Sequence, residues 1–128
     1  MTRVALGIGF SSTAGAEAMI SAMRQALDRA GVGEATLHAS ERKSRSDSLR
    51  RAATRLGMAL FFHDEAALRQ RASDVASHSA RVEALAGVGS LAEAAALVGA
   101  GADSRLILPK FSADGVSCAV AVGAEDRS

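Results

Sequence analysis

Residues 3–9 form an apolar run ended by glycine and read as a buried strand. Behind them, Ala16, Met19, Ile20, Met23, Leu27 and Ala30 recur at helical spacing, and Gly31 supplies a stop. This pattern predicts a helix over 14–30. "EATLHAS" (34–40) reads as a second strand, and "SRSDSLRRAATRLG" (44–57) as a second helix. Leu49, Ala52, Ala53 and Leu56 would form its apolar face, Ser46 or Asp47 its cap, and Gly57 its end. "MALFFH" (58–63) is apolar almost throughout, as expected of a strand covered on both faces. The pattern weakens after it, giving a short helical turn over 64–71, a polar loop and a helix near 79–86. A helix over 91–100 follows, opened by a capping box of Ser90 and Glu93. "RLILP" and "VSCAVAV" are the last strands, joined through "KFSADG", where Asp114-Gly115 signals a tight hairpin turn.

Strand–helix alternation of this kind predicts an α/β fold of three layers, α/β/α. Right-handed crossovers make the first strands parallel, and the closing hairpin makes the sheet mixed. The expectation is a mostly parallel sheet of about five strands ending in an antiparallel hairpin. The 128 residues suffice for one domain with a real core.

Composition removes several functions. No apolar run approaches the roughly 20 residues of a membrane span, and no secretory h-region with its cleavage site opens the chain. A cytoplasmic protein is expected. The single cysteine, Cys118, excludes an internal disulfide and a Cys-rich zinc site, and its apolar surroundings predict a buried, inert thiol. Net charge is +1, and the aromatic residues are four phenylalanines without Trp or Tyr. Both argue against nucleic acid as a partner. Charge is nevertheless local: Arg42, Lys43, Arg45, Arg50, Arg51 and Arg55 stand against one acid, Asp47. Lys43 and Lys110 are the only lysines in the chain.

Ligands of open α/β sheets sit outside the carboxyl ends of the parallel strands. That rule gathers Gly9, Ser11, Ser12 and Thr13 after the first strand. It adds His38, Arg42, Lys43 and Arg45 from the second and His63 from the third. Lys110 joins them if its strand is also parallel. "GIGFSSTAG" matches a dinucleotide fingerprint only in part. Gly7 and Gly9 are present, Ser12 stands at the third glycine, and Glu41 lies where a ribose-binding acid would sit. A small nucleotide- or phosphate-binding module therefore stays open as an alternative. The first helix has no acid three residues after Ser12 or Thr13, so its N–H groups are freer to hold an anion. His38 and His63 are candidate proton carriers. No metal-ligand spacing and no Gly-x-Ser-x-Gly elbow occur, and no cofactor is expected.

"GIGFSSTAG", the Lys43 loop, "GVGSLAEAAAL" and Lys110 after "LILP" stand in an order and spacing that resembles the CobE/CbiG C-terminal-domain family of cobalamin biosynthesis. The similarity covers about residues 3–122, and the length fits the stand-alone form. The resemblance implies an α/β/α fold and a precorrin or corrinoid tetrapyrrole as ligand, with other enzymes of the pathway as further partners. In the larger members it implies opening of a ring lactone of cobalt-precorrin-5A. An acid common three residues after the loop lysine is replaced here by Ser46, with Asp47 next. The catalytic residues are left unassigned. Such ligands are flat and apolar with a fringe of carboxylates, which cations and N–H donors around an apolar floor would suit. A non-catalytic interaction subunit, using the arginine face of residues 50–55, is a further alternative.

Overall fold

The computed structural model describes residues 3–78 and 90–123. Five strands share one sheet: β1 (Val4–Phe10), β2 (Thr36–Ser40), β3 (Leu60–His63), β4 (Arg105–Ala113) and β5 (Val116–Val122). Their order is β3-β2-β1-β5-β4. β1 pairs in parallel with β2, and β2 with β3, while β5 runs antiparallel to both β1 and β4. Four strands thus point one way and β5 the other. The helices are α1 (Ala16–Ala30), α2 (Asp47–Arg55), α3 (Glu65–Arg69) and α4 (Leu91–Ala100), with single 3-10 turns at Glu41–Lys43 and Ala72–Asp74. The helix expected near 79–86 lies outside the described residues.

Period-two alternation sends each strand's side chains to two different cores. Leu6, Ile8, Leu37, Val116, Cys118 and Val120 face one side and pack with Met19, Ile20 and Met23 of α1 and Leu49 and Ala52 of α2. Ala5, Ala119 and Ala121 face the other, beneath the alanines of α4. Small residues on both partners bring α4 very close to the sheet. A Cβ placed on Gly7 would lie 1.9 Å from the Ala92 carbonyl oxygen. Gly7, one of the two glycines of the partial dinucleotide fingerprint, is therefore a mid-strand glycine that admits a helix, and β1 runs on to Phe10. Cys118 is fully buried, and burial pushes its thiol up to about 12, which makes it inert.

Local signals set most boundaries. Gly31 ends α1 in the left-handed region, and its N–H donates to Asp28 and Leu27. Ser46, not Asp47, caps α2 by accepting the Leu49 N–H at 3.1 Å. Asp114 (φ 52°) and Gly115 (φ 78°) are both left-handed, as a two-residue hairpin turn requires.

Three expectations need correction. α1 begins at Ala16 rather than residue 14, behind Gly15, which contributes no side-chain cap. The final connection is shorter than "KFSADG", because β4 continues through register shifts to Ala113. β3 is an edge strand, not one covered on both faces, and Phe61 is 48% exposed. An apolar run does not reveal which strand the sheet leaves at its margin. Among the described residues no helix is long and apolar enough to cross a membrane.

Candidate functional site

A pocket of about 240 Å³ opens at the carboxyl end of β1 and β2. Gly9, Phe10 and Ser11 line it from β1, Ser40 from β2, and Lys43 from the following 3-10 turn. Lys110 of β4, Gly115 of the hairpin and Ser117 of β5 close the opposite wall. β4 is parallel to β1, which meets the condition under which Lys110 was expected at this edge. Ser90, Leu91 and Ala92, the start of α4, complete the lining. Ile8, Phe10 and Leu91 give an apolar floor, and the Lys43 ammonium stands 4.6 Å from the Phe10 ring centre. Such a contact keeps the cation beside the ring without consuming all its donors.

The helix terminus at this pocket belongs to α4. The sequence pointed instead to α1, on the reasoning that Ser90 and Glu93 satisfy the start of the later helix. Half of that capping box is present: Ser90 Oγ accepts the Glu93 N–H at 3.2 Å. The other half is absent, because the Glu93 carboxylate turns away. It accepts from Ser77 N at 2.7 Å, Ser77 Oγ at 3.1 Å and the Lys110 backbone N at 2.9 Å. The N–H groups of the first helical turn have no intrahelical acceptor, and Leu91 and Ala92 carry theirs at the pocket wall. A Cβ on Gly9 would stand 3.9 Å from Ala92 N, an ordinary van der Waals contact, so Gly9 lies beside the helix start without being required as glycine there.

Glu93 braces the pocket wall in a way that pattern reading missed. It is completely buried within an apolar helix. By holding the Lys110 N–H it fixes the irregular stretch of β4 that presents the lysine. The signal available was one acid inside "LAEAAALVGA", which the capping reading absorbed.

Other expected site residues are elsewhere. Ser12 and Thr13 are exposed outside the pocket lining, with Thr13 Oγ1 3.2 Å from Ser11 Oγ. Arg42 is ion-paired with Glu65 of α3, and Arg45 is exposed and outside the lining. Glu41 is likewise exposed and outside the lining, although Ser40 and Lys43 on either side of it belong to the lining. The N-terminus of α1 borders a separate groove with Asp47, Arg50, Arg51 and Arg55. There Glu17 of the first turn lies 3.9 Å from Arg55.

His38 and His63 also leave this pocket. Alternation places His38, with Thr36, on the α4 face of β2. His38 Nδ1 is 2.8 Å from His63 Nε2, and its Nε2 is 2.7 Å from Thr36 Oγ1. Burial, then the positive charges of His63 and Arg3, lower His38 from 6.5 to about 4. Burial lowers His63 as well, against the opposing carboxylate of Asp64. Both rings are neutral near pH 7 and cannot serve as cations for a carboxylate. Among the described residues no cluster of three or more His, Cys, Asp or Glu could hold a metal ion.

Comparison with known proteins identifies the family and the fold. Residues 4–121 match the family described as Cobalamin synthesis G C-terminus. Protein CobE from Sinorhizobium sp. is 35% identical over 119 residues, covering 91% of this chain and 77% of that protein. The crystal structure of CobE, a protein from the cobalamin (vitamin B12) biosynthetic pathway, superposes with a TM-score of 0.89 at 29% identity. That match covers 98% of this chain and 94% of the other. Cobalamin biosynthesis protein chiG from Agrobacterium tumefaciens gives a TM-score of 0.78 at 29% identity, covering 95% and 99%. The chain therefore belongs to the Cobalamin synthesis G C-terminus family, and its work lies in cobalamin biosynthesis.

Proposed function

We propose that the protein binds a precorrin or corrinoid intermediate through its carboxylate fringe, at the pocket bounded by Lys43, Lys110 and the start of α4. The observation that carries this reading is the meeting of the chain's only two lysines at one pocket. They lie far apart in the sequence and flank helix N–H groups over an apolar floor. Lysine is a compact point charge, suited to single carboxylates that arrive from different directions. Partial positive charge at a helix start favours the same group. The 240 Å³ volume is below the roughly 300–1,000 Å³ that encloses a drug-sized ligand. The macrocycle accordingly inserts an acidic side chain and one ring edge, with the rest lying across the rim.

Titration with a hydrogenobyrinic-acid-type corrinoid, followed by its own absorbance, tests this. Saturable binding is expected. Lys43→Ala and Lys110→Ala should each weaken it by about tenfold or more, since a hydrogen bond to a charged group contributes roughly 1.5–3 kcal/mol. A corrinoid whose carboxylates are amidated should bind more weakly than the free acid. Absence of binding by the parent protein, or unchanged affinity in both variants, would overturn the proposal.

A further inference from the structure

A second groove, of about 410 Å³, runs along the edge formed by β2 and β3 beside the later half of α4. Arg3, Thr36, His38, Phe61, His63, Val98 and Gly99 line it, and none of these borders the lysine pocket. The fold gives up a helix-favouring residue to build it. Gly99 sits inside α4, where glycine costs about 1 kcal/mol relative to alanine. A Cβ there would lie 2.5 Å from the His38 ring. The glycine is what makes room for a buried imidazole.

One direction of the relay satisfies all three hydrogen bonds, and the tautomers it assigns are part of the proposal below. Thr36 Oγ1 donates to the Val4 carbonyl at 3.4 Å, so its oxygen accepts from His38 Nε2–H at 2.7 Å. Neutral His38 then has its lone pair on Nδ1 and accepts from His63 Nε2–H at 2.8 Å. That leaves the lone pair of His63 on Nδ1, which has no hydrogen-bond partner among the described residues. The bond made by one ring nitrogen decides the role of the other. Phe61 lies parallel to His38 with ring centres 5.3 Å apart, and is still 48% exposed. Arg3 is exposed in the same groove and has no carboxylate partner among the described residues.

We propose that this groove is a second small-molecule site, for a planar carboxylate carrying an N–H or O–H donor. The donor meets His63 Nδ1, the carboxylate meets Arg3, and the flat ring lies on the exposed part of Phe61. The site is independent of the corrinoid pocket and does not rest on that reading.

Nuclear magnetic resonance on the full chain tests it in two ways. Ring nitrogen shifts at pH 7.5 should report the Nε2–H tautomer for both His38 and His63. Pyrrole-2-carboxylate, the probe ligand, should give saturable shifts centred on Phe61, His63, Val98 and Gly99. N-methylpyrrole-2-carboxylate lacks the donor and pyrrole-2-carboxamide lacks the charge. Each should bind about tenfold more weakly or worse, as should the parent ligand to the surface variant Arg3→Gln. Lys110→Ala, which alters the other pocket, should bind the probe like the parent protein. The proposal is overturned by an Nδ1–H tautomer at His63, by no shifts at tens of millimolar probe, by shifts centred on Lys43 and Lys110, or by equal affinity for the three ligands.

Discussion

His38 is a side chain whose proton chemistry the fold suppresses. Its reference value of 6.5 falls to about 4, first because burial disfavours the charged ring and then because His63 and Arg3 repel a further positive charge. The unfolded chain takes up a proton near pH 6.5 that the folded one refuses until about pH 4. Stability from this group is therefore complete above the unfolded value and is lost as pH falls toward the folded one. At about 1.4 kcal/mol per pH unit the loss is on the order of 3 kcal/mol. Urea midpoints should fall steadily from pH 7 to 4.5 in the parent protein, and His38→Gln should flatten that slope. An unchanged slope in the variant would show that other groups govern the acid limb. The sequence could name both histidines as candidates for proton chemistry. It could not say that they face one another, because that depends on β2 and β3 being neighbours in register.

The contact of β1 with α4 shows the same limit at the scale of elements. Strand and helix were each legible from periodicity, as were the caps at Ser46 and Ser90 and the stop at Gly31. The role of Gly7 was not, since a glycine at a strand end reads equally as a turn, a phosphate cradle or a packing gap. Only the position of α4 selects the last. Gly7→Ala places a methyl 1.9 Å from Ala92 O and 2.6 Å from Ala96 N, both backbone atoms that cannot rotate away. The helix must lift, and unfolding by urea should report a loss of about 3 kcal/mol or more. Gly15→Ala, with nothing within 4 Å of the new Cβ, should cost about 1 kcal/mol or less at this N-cap position. Similar losses at the two positions would remove the close-packing account. The same approach of α4 to β1 brings the helix start to Gly9, so a packing requirement and a ligand-binding feature share one cause.

Across the whole molecule, one side chain ties the segment after α3 to the far end of α4. Arg71 donates to the carbonyls of Leu97 (3.3 Å), Gly101 (2.9 Å) and Ser104 (2.8 Å) and to Ser104 Oγ (2.8 Å), and pairs with Asp74 at 2.8 Å. A guanidinium there satisfies the last carbonyls of the helix and complements its dipole. Arg71→Ala should destabilise the fold by roughly 3 kcal/mol, and Arg71→Lys should recover only part, because an ammonium cannot reproduce the planar fork. Full recovery by lysine, measured by thermal or urea unfolding, would reduce the residue to a simple charge. The chain by itself determined the α/β alternation, the mixed sheet with its hairpin, the inert thiol and the gathering of Gly9, Ser11, Lys43 and Lys110 at one edge. Those follow from local periodicity, turn chemistry and the rule that parallel strands end together. Only the tertiary structure decided that α4 supplies the helix start at the pocket, that Arg42 is committed to Glu65, and that the histidines occupy another groove. Each of these depends on which face of a strand meets which helix, and a side-chain period of two cannot tell one face from the other until the layers pack.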